Sequence, residues 1–487
     1  MTDVPKVLWE PPEAFVSSSS MTRFARWARE GSFEDYEELW RWSVEDLERF
    51  WGAIWRYFDV AADAVPERVI GAREMPGAEW FPGVELSYPE HVFRGKVDSD
   101  VAISFASESS SVQTWDWARL RAETARVREG LVARGVTRGD RVVAYLPNVP
   151  QTVAAFLATA SLGAVWSSCS PDFGARSVID RFAQIEPKVL LAVDSYSYGG
   201  REFDKSDVVA RLRAELGVEH VVLLSEWFDE TDSELEFERV PFDHPLWVLY
   251  SSGTTGLPKA IVQGQGGILL EHLKKMHLHL NAQEGDRVFW FTTTGWMMWN
   301  FLVGVLLTPA SIVLYDGNPS YPDAGRLWDL AADTGMTVFG TGAAYIHGCM
   351  KAGLHPAEGR DLEALRSVGS TGSPLSAEGF EWVYRELGDV WLFSTSGGTD
   401  VCTAFVGGVP WKPVWEGELQ GRALGCDVRA FDLDGNSITE EVGELVIVQP
   451  MPSMPLFLWG DEDGSRLHES YFDMYPGVWR HGDWIRI

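Results

Sequence analysis

Residues 250–259 have side chains and a spacing suited to binding phosphate. Glycine lets the backbone approach a ligand closely, and hydroxyl, backbone N–H and ammonium groups donate hydrogen bonds to anionic oxygens. The candidate binding residues of this loop are Ser251, Ser252, Gly253, Thr254, Thr255, Gly256 and Lys259. An ordinary turn has a similar composition, but the residue order and the closing lysine favour a phosphate site.

The loop differs from the P-loop of mononucleotide-binding enzymes, in which Gly-Lys-Ser/Thr opens directly into a helix. Here Pro258 precedes the lysine and removes one backbone donor. Short apolar runs at 246–250 and 260–263 flank the loop, which predicts a strand, a loop and a second strand. We therefore expect a phosphate-binding hairpin and not a P-loop.

The bulk composition limits the class of ligand. The chain has 487 residues, of which 45% are hydrophobic, so we expect several packed subdomains. Its 41 basic and 71 acidic residues leave a net charge of −30, which argues against nucleic acid or an anionic membrane as a partner. A bound nucleotide would therefore need local positive charge from a lysine or a divalent metal.

Cysteine spacing and hydropathy predict a cytoplasmic protein. The four cysteines are scattered without a Cys-x-x-Cys pair, so they predict neither a zinc site nor a disulfide framework. No basic segment followed by an apolar run begins the chain, and the longest apolar stretch, 301–315, is too short and interrupted to span a membrane. The oligomeric state is not predictable from these features.

Helical and strand patterns alternate through the middle of the chain. Helices over 114–134 and 149–162 flank a strand at 141–146, which is typical of a doubly wound parallel sheet. A second alternating unit runs over 287–396, and short antiparallel strands joined by tight turns follow residue 408. The fold class predicted is α/β, with two doubly wound αβ layers and a small distorted β-barrel.

These patterns divide the chain into four predicted regions. Residues 1–110 form a helical and extended layer, and 111–270 form a first αβ subdomain that includes the phosphate loop. Residues 271–410 form a second αβ subdomain, and 411–487 form the β-barrel.

Further motifs make the phosphate loop specific. They lie at 291–298, 369–374, 395–400, 443–445 and 481–483. In this order they resemble the adenylate-forming superfamily of acyl-CoA synthetases, luciferases and peptide-synthetase adenylation domains. The aromatic N-terminal region and residues 457–484 are most similar to the members of that superfamily that activate acetoacetate.

The resemblance implies ATP-dependent activation of a carboxylic acid. The carboxylate attacks the α-phosphate of ATP, giving an acyl-adenylate and pyrophosphate, and CoA then accepts the acyl group. Because both first reactants are anions, catalysis depends on positioning and charge neutralisation. ATP and CoA are the implied co-substrates, and Mg²⁺ is the implied metal.

The same resemblance implies roles for individual residues. The implied catalytic residues are Thr254, Lys259, Thr399 and Asp400, of which Asp400 would also hold Mg²⁺ although the family usually has Glu there. The implied nucleotide-binding residues are Ser251, Ser252, Gly253, Thr255, Gly256, Gly372, Ser373, Pro374, Thr395, Ser396, Gly398 and Asp483. The two oxygens of Asp483 would accept the ribose hydroxyls.

An acyl pocket is expected at Trp296, Met297, Thr371 and Gly397. The acetate-activating relatives have Trp at the position of Gly397, and an indole buries roughly 150 to 250 Å². The absence of that indole at Gly397 leaves room in the pocket for a longer acid, and the resemblance favours acetoacetate. Gly397→Trp is therefore expected to shift the preference toward acetate, although Gly397 has a second reading as a residue that permits the backbone turn.

In the family, a small C-terminal domain carries the lysine that completes adenylation and the surface that admits CoA. No such segment follows Ile487, so the resemblance predicts that this chain lacks the domain needed for full activity. Two alternatives stay open. One is a short- or medium-chain acyl-CoA synthetase for propionate or butyrate, and the other is a nucleotide-binding module without catalysis.

Overall fold

A computed structural model describes residues 5–29, 33–251 and 256–487. The strands are β1 (Val7–Trp9), β2 (Glu85–Leu86), β3 (Val101–Ser107), β4 (Gln113–Asp116), β5 (Arg141–Tyr145), β6 (Val165–Cys169), β7 (Val189–Ala192), β8 (Ser195–Tyr198), β9 (Arg201–Asp204), β10 (His220–Leu223), β11 (Val240–Pro241), β12 (Pro245–Ser251), β13 (Lys259–Gly264), β14 (Arg287–Trp290), β15 (Ser311–Asp316), β16 (Val338–Gly342), β17 (Ser367–Thr371), β18 (Trp391–Ser394), β19 (Ser396–Gly398), β20 (Thr403–Gly407), β21 (Val414–Trp415), β22 (Gly421–Arg422), β23 (Val428–Phe431), β24 (Ser437–Ile438), β25 (Val442–Ile447), β26 (Phe457–Leu458) and β27 (Trp479–Arg486).

The helices are α1 (Glu13–Ser18), α2 (Ser20–Ala28), α3 (Tyr36–Glu45), α4 (Leu47–Tyr57), α5 (Tyr88–Phe93), α6 (Trp117–Val132), α7 (Pro150–Ser161), α8 (Ala175–Phe182), α9 (Ser206–Leu216), α10 (Gln265–Lys274), α11 (Met298–Gly304), α12 (Arg326–Thr334), α13 (Ala343–Lys351), α14 (Ala377–Leu387) and α15 (Ser465–Tyr471). Short 3₁₀ turns lie at Ala183–Ile185, Leu224–Glu226 and Val305–Leu307. Across the described ranges, no helix is long and apolar enough to cross a membrane.

Two seven-stranded sheets form the centre of the molecule. The first has the order β10-β7-β5-β6-β12-β13-β26. Its first five strands in this order are parallel to one another, and the pairs β12–β13 and β13–β26 are antiparallel. The second has the order β18-β17-β16-β14-β15-β3-β4, parallel except for β4. The predicted α/β class with mainly parallel sheets is confirmed. Strands such as β6 and β7 are buried along their whole length, as expected of parallel strands covered on both faces.

The sheets draw on segments that are distant in sequence. Strands β3 and β4 lie on either side of residue 110, yet both complete the second sheet. Strand β26 comes from the last quarter of the chain and adds to the first sheet. Each of the two central sheets therefore contains strands from more than one predicted region.

A smaller antiparallel sheet lies in the predicted barrel region. Its order is β24-β23-β25-β27, so β24 and β27 are its edges. Within the described residues these four strands form an open sheet, and the small distorted β-barrel stays a prediction. Its last strand carries His481 and Asp483 toward the site described below.

Helix α10 connects the phosphate hairpin to the interior. It begins one residue after β13, and all ten of its residues are buried. It continues into a π-helical turn at Lys275–His279, an irregularity that is frequent at functional sites. The hairpin, the helix and this turn place polar side chains in the middle of the molecule.

Candidate active site

The phosphate loop is the connection of a β-hairpin, as its flanking sequence predicts. Strands β12 and β13 are antiparallel, and Ser251 pairs directly with Lys259. The predicted phosphate-binding residues Ser252, Gly253, Thr254 and Thr255 lie outside the described residues. Gly256 is exposed and has a φ of 125°, a conformation that favours glycine.

Lys259 and Asp400 belong to one polar cluster. Lys259 Nζ lies 3.4 Å from Asp400 Oδ1 and donates a hydrogen bond of 2.8 Å to the Tyr471 hydroxyl. The Tyr471 hydroxyl donates to Asp400, and Ser251 Oγ donates to Asp400 Oδ1 at 3.3 Å. Burial and the Asp400 charge raise the pKa of Tyr471, so it stays a neutral donor. The structure thus brings the predicted site residues Ser251, Lys259 and Asp400 together in one cluster with Tyr471, which the sequence did not suggest.

Gln263 holds the segment that carries Asp400. Its Nε2 donates to the carbonyl oxygens of Thr399 and Asp400 at 3.0 and 2.9 Å. Its Oε1 accepts from Trp247 Nε1 at 2.7 Å, which fixes the orientation of the amide. This buried glutamine, on the strand that follows the phosphate loop, therefore fixes the backbone of residues 399 and 400 beside Lys259.

Several of the predicted nucleotide-binding residues follow two neighbouring strands of the second sheet. Gly372, Ser373 and Pro374 come directly after β17 and are exposed. Thr395 follows β18, and its carbonyl oxygen accepts a hydrogen bond of 2.8 Å from Thr371 Oγ1. The carboxyl ends of parallel strands meet at one edge of a sheet, which brings these two segments side by side.

Strand β27 contacts β19 through His481. A Cβ atom on Gly398 would lie 2.3 Å from His481 Cε1, so a glycine is needed there for the imidazole to pack. Burial lowers the pKa of His481, against the opposing effect of Asp400 and Asp483. The side chain of Asp483 is 59% exposed, and its carboxylate lies 3.5 Å from His481 Nε2. Asp483 is thus accessible to a ligand, and its role with ribose stays a prediction.

The four residues predicted for the acyl pocket line a single cavity of about 110 Å³. Trp296, Met297, Thr371 and Gly397 form part of its wall, together with aromatic side chains such as Phe301. A water occupies about 30 Å³ in the liquid, so the cavity has room for several heavy atoms. The binding of an acyl group there stays a prediction.

The expected effect of Gly397→Trp needs correction. Gly397 lies in β19, at an irregularity in its pairing with β20. A Cβ atom on Gly397 would lie 2.2 Å from the Thr403 carbonyl oxygen and 2.6 Å from Ala404 Cα. Any side chain at Gly397 would therefore collide with the backbone of β20 before it reached the cavity. Gly397 permits a close approach of two strands, a role that differs from the backbone turn expected from the sequence.

Lys275 is a further polar residue of the cavity wall that the motifs did not predict. It lies in the π-helical turn and is 4% exposed. A lysine within a polar stretch of sequence gives no signal of burial, because the long side chain usually reaches solvent. Only the packing of helix α10 in the interior shows that it does not.

No cluster of three or more potential metal-ligating side chains lies within the described ranges. Mg²⁺ is usually bound by one or two carboxylates together with substrate phosphates, so a single carboxylate suffices. Asp400 has a side chain that is 13% exposed, and Lys259 compensates its charge. Its donor chemistry fits the metal role that the sequence implies.

The fold and the site define an α/β enzyme with a charged cluster beside a mainly apolar cavity. Two family models match the chain: AMP-binding enzyme over residues 91–455, and acetyl-coenzyme A synthetase N-terminus over residues 36–92. The chain therefore belongs to the family of AMP-binding enzymes. Within that family it is an AMP-forming acid–thiol ligase, as its relatives indicate.

Proteins similar to this chain include acetoacetyl-CoA synthetases. That of Rhizobium meliloti (strain 1021) is 43% identical, with the alignment covering 98% of this chain and 77% of that protein. That of Macaca fascicularis is 40% identical, with coverages of 99% and 76%. The solved structure of the Streptomyces lividans enzyme is 51% identical and has a TM-score of 0.96, covering 99% of this chain and 78% of that one. The comparisons do not support the expected absence of a C-terminal domain.

Proposed function

We propose that the protein activates acetoacetate with ATP and transfers the acetoacetyl group to CoA. The observation that carries this proposal is the position of segment 397–400. Gly397 and Thr399 line the cavity, while Asp400 pairs with Lys259 at the end of the phosphate hairpin. One short segment thus joins a site for an acyl chain to a site for phosphates.

The chemistry proceeds in two substitutions. A carboxylate oxygen of acetoacetate attacks the α-phosphorus of ATP, and the bond to the bridging oxygen of pyrophosphate breaks. The sulfur of CoA then attacks the acyl carbon, its proton is lost, and AMP leaves. Lys259 would neutralise charge on the phosphates, and the cavity would hold the acyl chain in line for attack.

Asp400 is the residue that would hold Mg²⁺ in this proposal. The ion would supply charge neutralisation on the phosphates of ATP. Tyr471 and Ser251 hydrogen-bond to the same carboxylate, so they would orient it for a cation. The ordered carbonyl groups of Thr399 and Asp400, held by Gln263, keep that carboxylate at the end of β19.

A saturated short-chain acid such as propionate or butyrate is the second candidate substrate. The cavity wall is mainly apolar, with Trp296, Met298 and Phe301 among its residues, which suits an unsubstituted alkyl chain. Binding of a nucleotide without catalysis is not favoured, since the chain belongs to a family of enzymes.

We also place the protein in the cytoplasm. Its four cysteines are all buried and free. Reduced thiols are the state expected in a compartment where glutathione and thioredoxin operate.

An acid panel tests the proposed function. The protein is incubated with ATP, Mg²⁺ and either acetoacetate, acetate, propionate, butyrate or hexanoate, and pyrophosphate release is measured with and without CoA. The highest kcat/KM is expected for acetoacetate, with acetoacetyl-CoA identified by mass when CoA is present. A higher value for butyrate or propionate would replace acetoacetate by the second candidate. Pyrophosphate release that is independent of any acid would contradict acid activation.

A further inference from the structure

Lys275 carries a buried amine in the wall of the acyl cavity. The residue is 4% exposed, and it lines the cavity. No hydrogen bond or ion pair joins Lys275 Nζ to any other residue in the described part of the chain. An unpaired buried cation is unfavourable, so its retention in a ligand cavity points to a ligand that compensates it.

Lys274, the preceding residue, is a buried lysine whose charge is compensated by partners. Lys274 Nζ lies 2.8 Å from Glu271 Oε1 and donates to the Leu424 carbonyl oxygen, also at 2.8 Å. Glu271 Oε1 also accepts a hydrogen bond of 2.6 Å from Thr403 Oγ1. Glu271 Oε1 is thus shared by Lys274 and Thr403, while Glu271 Oε2 has no hydrogen-bond partner among the described residues and makes no ion pair with Lys275. Burial and the Lys274 charge lower the pKa of Lys275 to about 7, which is consistent with its lack of a partner.

Several other polar groups of the cavity are already engaged. His279 Nδ1 is hydrogen-bonded to the Gly408 carbonyl oxygen, and His279 Nε2 accepts from the Leu424 N–H, so this imidazole is neutral and satisfied. Thr371 Oγ1 donates to Thr395 O, and Thr403 Oγ1 donates to Glu271. Thr395 and Thr399 also line the cavity, and the sequence predicts roles for both at the nucleotide and its phosphates.

Trp290 Nε1 is a buried donor of the cavity wall that has no partner among the described residues. It belongs to the cavity wall and is neutral, and its ring is fixed by contacts with Gly340 and Gly369. Lys275 differs from it in having three N–H bonds, a positive charge and a flexible side chain that can follow a ligand.

We propose that the ammonium group of Lys275 donates a hydrogen bond to the 3-oxo oxygen of acetoacetate and so determines the preference for a 3-oxo acid. This inference rests on the proposed function and identifies the acid selected by that same site. A ketone oxygen in the cavity would satisfy the buried donor. A saturated acid of equal length would leave it unpaired, and such a loss is the strongest basis for discrimination between similar substrates.

The test compares acetoacetate with butyrate, which has a methylene group in place of the 3-oxo carbon. The ratio of their kcat/KM values in ATP-dependent pyrophosphate release is measured for the wild type, Lys275→Met and Lys275→Gln. Lys275→Met is expected to lower the ratio roughly tenfold to a hundredfold, with butyrate activation unchanged or higher. Lys275→Gln keeps a donor and is expected to give an intermediate ratio.

Lys96→Met is the matched control. Lys96 is a partly buried lysine whose pKa burial lowers to about 8, but it lies outside the cavity and donates to the Thr308 carbonyl oxygen. Lys96→Met is expected to keep the wild-type ratio of kcat/KM for acetoacetate to that for butyrate, even if the thermal midpoint of the variant falls. Equal losses for both acids in Lys275→Met, or an unchanged ratio, would overturn the proposal and assign selectivity to Trp290 or to shape. A wild type that prefers butyrate would overturn the proposed function as well.

A measurement on the wild type keeps the proposal testable if neither variant folds. Lys275 is an ammonium group below its pKa of about 7, so the ratio is expected to fall between pH 6 and pH 9. The neighbouring titratable groups are not expected to cause this fall in the ratio. Burial raises the pKa of Cys426 and lowers that of His279, and Glu271 and Lys274 form an ion pair. A ratio that stays constant over this range would overturn the ammonium donor.

Discussion

Lys259 Nζ lies 3.4 Å from Asp400 Oδ1, so the cation predicted for the phosphates and the carboxylate predicted for Mg²⁺ compensate each other. Lys259 begins β13, and Asp400 follows β19 in another sheet. Tyr471 bridges the two, since its hydroxyl accepts from Lys259 and donates to Asp400. ATP with Mg²⁺ offers the opposite charge to each member of the pair, so substrate binding would replace one interaction by two.

Lys259→Met is expected to lower kcat/KM for acid-dependent pyrophosphate release about 10²- to 10³-fold, the loss typical of removing one group that stabilises transition-state charge. Steady-state kinetics with saturating Mg²⁺ provide the measurement. Lys351→Met serves as the control, because Lys351 is exposed at the end of α13 and has the same change in charge. Comparable losses in the two variants would show that net charge, and not the position of Lys259, matters.

Asp400→Asn is expected to raise the Mg²⁺ concentration that gives half-maximal activity about 10- to 100-fold, because the amide keeps the shape but loses the charge that attracts the ion. A Mg²⁺ titration of pyrophosphate release measures this shift. Asp400→Glu keeps a carboxylate at this position and should stay near the wild-type value. Asp207→Asn, at an exposed position of α9, is the surface control. An unshifted titration in Asp400→Asn would remove Asp400 from the metal site.

Local patterns predicted the main strands and helices well. The helix expected at 149–162 is found at Pro150–Ser161, and the strand expected at 141–146 is found at Arg141–Tyr145. The helix expected from residue 114 begins at Trp117, because residues 113–116 form β4 and pair with β3. That pairing, and the pairing of β3 with β15, join segments whose contact leaves no periodic signal in either one.

The site was predictable to the extent that its motifs are contiguous. The segments at 250–259 and 395–400 are recognisable from their local order of residues, and the structure brings Lys259 and Asp400 together. Tyr471 and Gln263 are single polar residues in an ordinary helix and strand, and Lys275 lies in a π-helical turn that the sequence does not signal. Their importance arises from burial and from partners elsewhere in the chain, which no local pattern encodes.

Acidification below pH 6.5 is expected to destabilise the fold through buried histidines. Burial lowers the pKa of His272 to about 3, and its Nδ1 lies 2.9 Å from the Tyr88 hydroxyl. Between pH 6.5 and pH 3 the unfolded chain binds a proton that the folded chain does not, so stability falls as pH falls. For one such group the loss at pH 5 is about 2 kcal/mol.

Calorimetric midpoints at pH 7 and pH 5 measure this loss. His272→Asn removes the titrating group and should reduce the difference between the two midpoints. His355→Asn is the control: His355 is exposed, and Glu386 raises its pKa, so its contribution has the opposite sign and removing it should not reduce the difference. A difference that is the same in His272→Asn as in the wild type would contradict the assignment.

Gly397→Ala is expected to destabilise the protein by about 1–3 kcal/mol, because its Cβ would lie 2.2 Å from the Thr403 carbonyl oxygen and strands β19 and β20 would have to separate. Gly348→Ala is the matched control, since a Cβ on Gly348 meets nothing within 4 Å and alanine favours the interior of α13 by about 0.5–1 kcal/mol. Thermal unfolding should therefore move the two midpoints in opposite directions. If Gly397→Ala melts with the wild type and accepts acetate better, Gly397 would instead determine the size of the pocket.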